Sequence, residues 1–221
     1  MPTGNWKQDN GSTAEKNKTV ILADGSYPVH EIPLDYLRHA ARIICCDGSA
    51  ETLIADGFIP DAIVGDLDSL SNEIASRFPG RIYRDDEQKT NDLTKSVKWC
   101  FARNYTDIVI LGATGKREDH TIGNISLLAD YVKQADVIMV TDTGIISPHL
   151  KSSTFSSFPG QQVSIFSINP ETEITSTGLK YRLEKMKLVN WWQATLNEAT
   201  DNFFELVFEG GPLLVYRKFR E

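Results

Sequence analysis

No apolar run in these 221 residues approaches the ~20 that a membrane span requires. The opening stretch MPTGNWKQDNGSTAEKNK holds no apolar segment of the kind a secretory leader carries. The chain is therefore expected in the cytoplasm, with residues 1–17 as a loose polar tail. Positive charge is in short supply: 23 Lys and Arg against 30 Asp and Glu give a net charge of −7. That excludes a general attraction to nucleic acid or to an anionic membrane. Cysteine is scarce and odd in number. Cys45, Cys46 and Cys100 show neither zinc spacing nor a disulfide framework, and read as small buried residues of a reduced compartment. There is no internal repeat and no low-complexity tract. A P-loop is missing too, because Gly112–Lys116 spells GxxGK and Arg117 follows where a P-loop has Ser or Thr.

What is present is ordinary globular material, 41% hydrophobic and 24% charged, enough for one large domain or two modest ones. Apolar runs at Thr19–Ala23, Arg42–Cys46, Asp61–Val64, Arg81–Tyr83, Asp107–Leu111 and Asp136–Val140 read as strands. Several are continuous rather than alternating, as in strands buried on both faces. Helix-length segments lie between them: Leu34–Ala41, Ser49–Asp56, Ser71–Phe78, Asp92–Arg103 and Thr121–Lys133. This alternation predicts an α/β domain over 18–147 with a doubly wound, mostly parallel, Rossmann-like sheet. After about Thr143 the texture changes. SPHLKSSTFSSFPG reads as a connector, and short β-prone runs follow at Gln162–Ile168, Glu173–Ser176, Leu179–Leu183, Phe203–Phe208 and Leu213–Tyr216. They predict a C-terminal antiparallel β-sandwich over 148–221.

Three acidic clusters follow strand-like runs: IVGDLDSL (Ile63–Leu70), DEQKTNDLTK (Asp86–Lys95) and ILGATGKREDH (Ile110–His120). Carboxylates beside glycines at strand ends suit a site for Mg²⁺ and a polyphosphate, since the metal wants hard oxygen ligands and phosphates want close backbone approach. Asp66 and Asp68 leave a strand two residues apart and could face one way, although Gly-Asp also makes turns. Asp92 opens a helix, where it is either a cap-region acid or a ligand or proton acceptor. Gly112 and Gly115 flank a strand-to-helix turn of the sort that offers N–H groups to phosphate, with Lys116 and Arg117 adding charge. Asp119 and His120 add a metal or acid–base option, and His120 is equally readable as a capping histidine. Asp47, after the second strand, either caps the next helix or joins the acidic site. Asp24-Gly25, after the first, is similar and less specific.

Taken together, CDGSA (Cys46–Ala50), PDAIVGDLDS (Pro60–Ser69), QKTNDLTK (Gln88–Lys95), Gly112–His120 with Asn124, GLKYRL (Gly178–Leu183) and GGPLLVY (Gly210–Tyr216) resemble the thiamine pyrophosphokinase family over about residues 19–218. The resemblance implies transfer of a diphosphoryl group from ATP to the hydroxyl of thiamine, giving thiamine diphosphate and AMP. It implies a nucleotide-binding α/β domain, a thiamine-binding sandwich, and a homodimer with sites between subunits. Carried over, Asp66, Asp68 and Asp92 become the acidic centre around Mg²⁺, with Asp47, Ser69 and Gln88 lining it. Gly112, Gly115, Arg117, Asp119, His120 and Asn124 become the ATP-contacting segment. Trp192, Thr195 and Asn197 are the expected thiamine contacts; Trp191 and Trp192 offer a stacking surface for a cationic heterocycle, and on an alternating strand one faces the core and the other outward, so at most one of them serves. The chain departs from the family at Asn91, where Thr is usual, at Lys116, often Gly, and at Leu196, where many members carry Ser.

Two other readings compete. Asp66-Leu67-Asp68 suggests a haloacid-dehalogenase-like phosphatase, but Leu70 stands where that signature wants Thr or Val. The departures at Lys116 and Leu196 suggest a non-catalytic nucleotide or thiamine sensor, against which stands the full set of carboxylates.

Overall fold

The fold is taken from a computed structural model that describes residues 18–220; the expected tail at 1–17 lies outside them. The chain divides into two compact units. One comprises Gln134–Asp142 and the described part of Thr13–Leu127; the other comprises Leu128–Lys133 and the described part of Thr143–Glu221.

The first unit alternates strand and helix as the hydrophobic pattern predicts: β1 (Thr19–Leu22), α1 (Glu31–Arg38), β2 (Arg42–Cys46), α2 (Ser49–Ala55), β3 (Ala62–Gly65), α3 (Asn72–Arg77), β4 (Ile82–Arg84), α4 (Asp92–Phe101), β5 (Asp107–Leu111), α5 (Glu118–Tyr131) and β6 (Asp136–Val140). The six strands pair parallel in the order β6-β5-β1-β2-β3-β4. β1 and β3 are buried along their whole length, and β2 and β5 but for their first residue, which is why these strands read as unbroken apolar runs. Helix α4 packs on β1, β2 and β3, and α2 on β2. The three cysteines are free and buried, and burial pushes the Cys45 and Cys100 thiols up to about 12.

Helix starts came earlier than hydrophobicity alone suggested. α1 begins at Glu31 because His30 caps it, its Nδ1 accepting from the Ile32 N–H at 3.2 Å, and Pro33 is tolerated in a first turn. α5 begins at Glu118, inside the acidic cluster, so Asp119 stands in its first turn.

The second unit carries β7 (Gly144–His149), β8 (Ser153–Ser156), β9 (Gln162–Ser167), β10 (Glu173–Thr177), β11 (Met186–Lys187), β12 (Asn197–Glu198), β13 (Phe203–Phe208) and β14 (Leu213–Lys218). Strands β12-β9-β14-β7 pair antiparallel, as do β11-β10-β13-β8. Both sheets feed one core that includes Ile165, Val215, Phe155 and Phe204, the sandwich that was expected. Phe155 and Phe204 stack at 4.7 Å. Two readings fail here. The Ser-rich connector is instead the end of β7, a turn and β8, since Phe155 on β8 finds a buried place that its polar neighbours leave to it. Leu179–Leu183 is no strand; only Leu179 makes a bridge, to Ala199.

Candidate active site

The strand order reverses between β1 and β5, whose outer neighbours β2 and β6 continue in opposite directions. In open α/β sheets ligands sit at such a reversal, beyond the carboxyl ends of the strands. A cleft of about 370 Å³ opens there. Its walls are the turn after β1 (Asp24), the turn after β2 (Asp47, Gly48), Ser69, the start of α4 (Asn91, Asp92), the turn after β5 (Thr114, Lys116, Arg117), and the start of α5 (His120, Asn124).

Asp47, Asp66 and Asp92 form the acidic heart of this unit, each with a carboxylate oxygen within 4.8 Å of the others'. Asp47 follows β2 directly in a left-handed conformation (φ 40°), its N–H bonded to Val64 O at 3.1 Å. Gly65 ends β3 with no side chain, and a Cβ there would stand 2.9 Å from Asp47 Cβ and 3.3 Å from Asp92 Cγ. Only glycine lets the three carboxylates meet. Asp92 is set in the first turn of α4 by Asn91, whose Oδ1 accepts from the Thr94 N–H at 3.0 Å.

Asp47 is 4% exposed; its Oδ2 accepts from the Ser69 N–H at 3.1 Å. Its Oδ1 is buried with no hydrogen-bond partner among the described residues. Burial pushes the Asp47 carboxyl above the usual carboxylate range; the Ser69 N–H opposes this, and the charges of Asp92, Asp66 and Asp68 add to it. An orphaned buried carboxylate oxygen is costly unless a cation meets it. Three carboxylates converging on one point are the donor set a hard divalent cation takes, so the residues fit Mg²⁺.

One buried cation already serves the cluster. Lys95 is 3% exposed, with Nζ 3.0 Å from Asp92 Oδ1 and 4.0 Å from Asp66 Oδ2. Burial alone would lower its ammonium, but the hydrogen bond and charge of Asp92, with the charges of Asp66 and Asp85, outweigh that and hold it above the ordinary lysine value.

Asp68 stands outside the cluster. The chain leaves β3 at Gly65 and turns at Leu67 (φ 69°), so Asp66 and Asp68 do not keep the extended spacing that would face them together. Asp68 is exposed, and its N–H reaches Asp66 Oδ1 at 3.3 Å. Ser69 joins the wall through its backbone bond to Asp47. Gln88 is exposed, donates to Asp86 O at 3.4 Å, and is not part of the cleft wall.

In the third cluster Gly112 has φ 63° and sits 2.7 Å, measured from a hypothetical Cβ, from Ala23 O. Its carbonyl accepts from the Gly25 N–H at 2.6 Å, and Thr114 O accepts from Ser26 N–H at 2.8 Å. The glycines thus join the turns after β1 and β5; Gly115 lies in the same exposed turn beside Ser26. Arg117 pairs bidentately with Asp119, Nε to Oδ1 at 3.1 Å and Nη2 to Oδ2 at 2.5 Å. That bond, with the His120 N–H adding to it, pulls the Asp119 carboxyl down to about 2. Asn124 donates to Ala113 O at 2.9 Å and accepts from Asn91 Nδ2 at 3.0 Å, tying the second and third clusters together. Residue-by-residue reading gave Lys95 and this Asn91–Asn124 link no role. The one visible hint was Lys95 lying three residues beyond Asp92 on a helix.

In the second unit Trp191–Ala194 is a 3-10 turn, not an alternating strand. Trp191 tilts against Phe166 at 5.6 Å, while Trp192 is 72% exposed. Thr195 bonds back to Trp192 O at 2.8 Å. Asn197 is buried, with its carboxamide closed on the Tyr181 backbone: Nδ2 donates to Tyr181 O at 2.8 Å and Oδ1 accepts from Tyr181 N–H at 3.0 Å.

Comparison with known proteins bears on this geometry. The sequence profile of the thiamin pyrophosphokinase catalytic domain matches residues 34–144, and that of the thiamin pyrophosphokinase substrate-binding domain matches 144–216. The chain belongs to the thiamin pyrophosphokinase family. A Bacillus subtilis thiamine pyrophosphokinase is 30% identical, aligned over 75% of this chain and 82% of its own length. Thiamin pyrophosphokinase 1 of Caenorhabditis elegans is 29% identical over 66% of this chain, and the aligned part spans 65% of that longer relative. The crystal structure of a Bacillus subtilis thiamine pyrophosphokinase superposes with a TM-score of 0.76 at 25% identity, covering 92% of this chain and all of that one (100%). That of Candida albicans thiamin pyrophosphokinase, at 19% identity and TM-score 0.74, shares the fold. These matches favour neither the phosphatase nor the sensor reading. Among the described residues, no helix is long and apolar enough to cross a membrane.

Proposed function

We propose that this chain transfers a diphosphoryl group from ATP to the hydroxyl of thiamine, giving thiamine diphosphate and AMP. The observation that carries the reading is the cluster of Asp47, Asp66 and Asp92, two of which line the cleft at the β1/β5 reversal, together with the buried Asp47 oxygen that has no hydrogen-bond partner among the described residues; membership of the thiamin pyrophosphokinase family supports the same substrates. Asp47, Asp66 and Asp92 would hold Mg²⁺, which supplies neutralising charge to the phosphates. Lys95 fixes Asp92 and Asp66 from behind. The thiamine oxygen attacks the β-phosphorus, and a carboxylate of the cluster not engaged by the cation takes the hydroxyl proton. The bond from that phosphorus to the oxygen it shares with the α-phosphate breaks, and AMP departs with the oxygen. Arg117, oriented by Asp119, meets the charge that builds on the leaving group. His120, Asn124 and Ser69 line the cleft around the nucleotide in this reading, with Gly112 and Gly115 shaping the turn beside it; Gln88 and Asp68, which lie off the cleft wall, take no part in it. The exposed ring of Trp192, with Thr195 beside it, offers a stacking face to the cationic heterocycle of thiamine. A cytoplasmic homodimer completes the proposal.

The test is to incubate the protein with ATP, Mg²⁺ and thiamine and to quantify AMP and thiamine diphosphate together. Equimolar appearance of both is expected. ADP, free phosphate, or binding without any product would overturn the reading.

A further inference from the structure

The cations in and beside the cleft are held in different ways. Lys95 is buried between Asp92 and Asp66, and Arg117 is clamped by Asp119 within its own turn. Lys116 alone of these reaches across the sheet: its Nζ lies 2.9 Å from Asp24 Oδ1, joining the turn after β5 to the turn after β1, 92 residues away. Those turns are already fixed to each other by the Gly25–Gly112 and Ser26–Thr114 backbone bonds, so the pair is not needed to hold them. Both partners line the cleft, and both side chains are about half exposed, 55% for Lys116 and 49% for Asp24. The other oxygen of Asp24 faces Gly48, where a Cβ would stand 3.6 Å away. The ion pair therefore links two turns that line the crevice, with Asp24 beside Gly48, the residue after Asp47.

We propose that Lys116 is a polyphosphate-binding residue of this chain and that Asp24 is the carboxylate an incoming polyanion must displace to take it. The inference rests on the nucleotide reading above. An exposed ion pair contributes little and is easily exchanged, whereas a lysine bonded to phosphate gains a charge-assisted contact. Asp24 sets a threshold: it competes with the ligand for the same ammonium and repels it once released. A triphosphate carries enough charge to win that exchange, and a monophosphate carries much less. The arrangement thus favours taking up ATP over retaining AMP.

The experiment is calorimetric titration of ATP, AMP and inorganic tripolyphosphate, in Mg²⁺ and without thiamine, into the wild-type chain, Lys116→Ala and Asp24→Asn. Lys116→Ala should weaken ATP and tripolyphosphate by about tenfold, and AMP by less. Asp24→Asn should tighten ATP and tripolyphosphate, and AMP by no more than these, because the polyanions are the ligands that displace and face the competing carboxylate. Thermal melting of the three proteins reads any bracing role separately. ATP binding unchanged in Lys116→Ala, or ATP weakened alike in both variants, would overturn the proposal. Because binding is measured without turnover, failure of the product assay with Lys116-dependent tripolyphosphate binding intact would sink the transfer reaction and leave this inference standing.

Discussion

Asp47 serves two incompatible demands. Its burial and its acidic neighbours favour the protonated form, while a divalent cation requires the carboxylate. A carboxyl whose folded pKa is raised binds its proton more tightly in the folded than in the unfolded chain. Its contribution to stability is therefore full below the ordinary carboxylate pKa and is lost as pH rises through the raised value. Asp47→Asn removes that loss. We expect the variant to melt no lower than the wild type at pH 7 without Mg²⁺, and higher than it relative to their difference at pH 3.5. Product formation should fall by roughly 10²-fold or more. Added Mg²⁺ should raise the melting point of the wild type and leave that of the variant nearly unchanged. Melting curves at two pH values, with and without Mg²⁺, check all of this; a variant that melts lower at pH 7 and still responds to Mg²⁺ would remove Asp47 from the site. Lys95 completes the balance, since its ammonium is what keeps Asp66 and Asp92 together at neutral pH.

At the scale of elements, the site depends on where α4 starts. Asn91 caps it with Oδ1 and bonds Asn124 with Nδ2, so one residue sets both Asp92 and the link to α5. Asn91→Ala should cost about 1 kcal/mol of stability through the lost cap and also reduce turnover. Asn91→Ser keeps a capping oxygen and loses the Asn124 bond; it should recover stability without recovering all of the activity. Denaturant midpoints beside initial rates separate the two effects, and equal recovery of both would mean that the Asn124 bond does nothing for the site. The strands themselves were legible because burial on both faces writes itself as continuous Val-Ile-Leu runs, as in Asp107–Leu111. The helix starts at Glu31, capped by His30, and at Glu118 were harder to read, since a capping histidine and a run of charges carry no apolar period. The strand β8 was hidden because one buried Phe155 among serines looks like a loop until Phe204 is placed against it. Cluster membership was half legible. Carboxylates at strand ends mark the site, but which of them converge depends on φ at Asp47 and Leu67, and no composition rule gives that.

For the whole molecule the open question is how the two units cooperate in the proposed transfer. The first holds the carboxylates. On the second, the large side chains of Tyr181, Trp192 and Leu196 are 61%, 72% and 75% exposed. Leu196 stands at φ 56°, an uncommon conformation for a branched apolar side chain, which ties the exposure to the backbone rather than to side-chain choice. Were the transfer site built from the first unit of one subunit and the second unit of its partner, the two kinds of defect would complement each other. Asp66→Asn disables only the carboxylate cluster, and Trp192→Ala only the exposed ring. Each homodimer should then be nearly inactive. A mixture exchanged to equilibrium at equal concentrations is half heterodimer, and each heterodimer retains one intact site, so about a quarter of wild-type activity should return. Differently tagged subunits, purified as the heterodimer, make the test independent of exchange. A heterodimer with no activity above that of either parent would place both defects in one subunit's site, and a chain that sediments as a monomer at assay concentration would remove the dimer from the mechanism altogether.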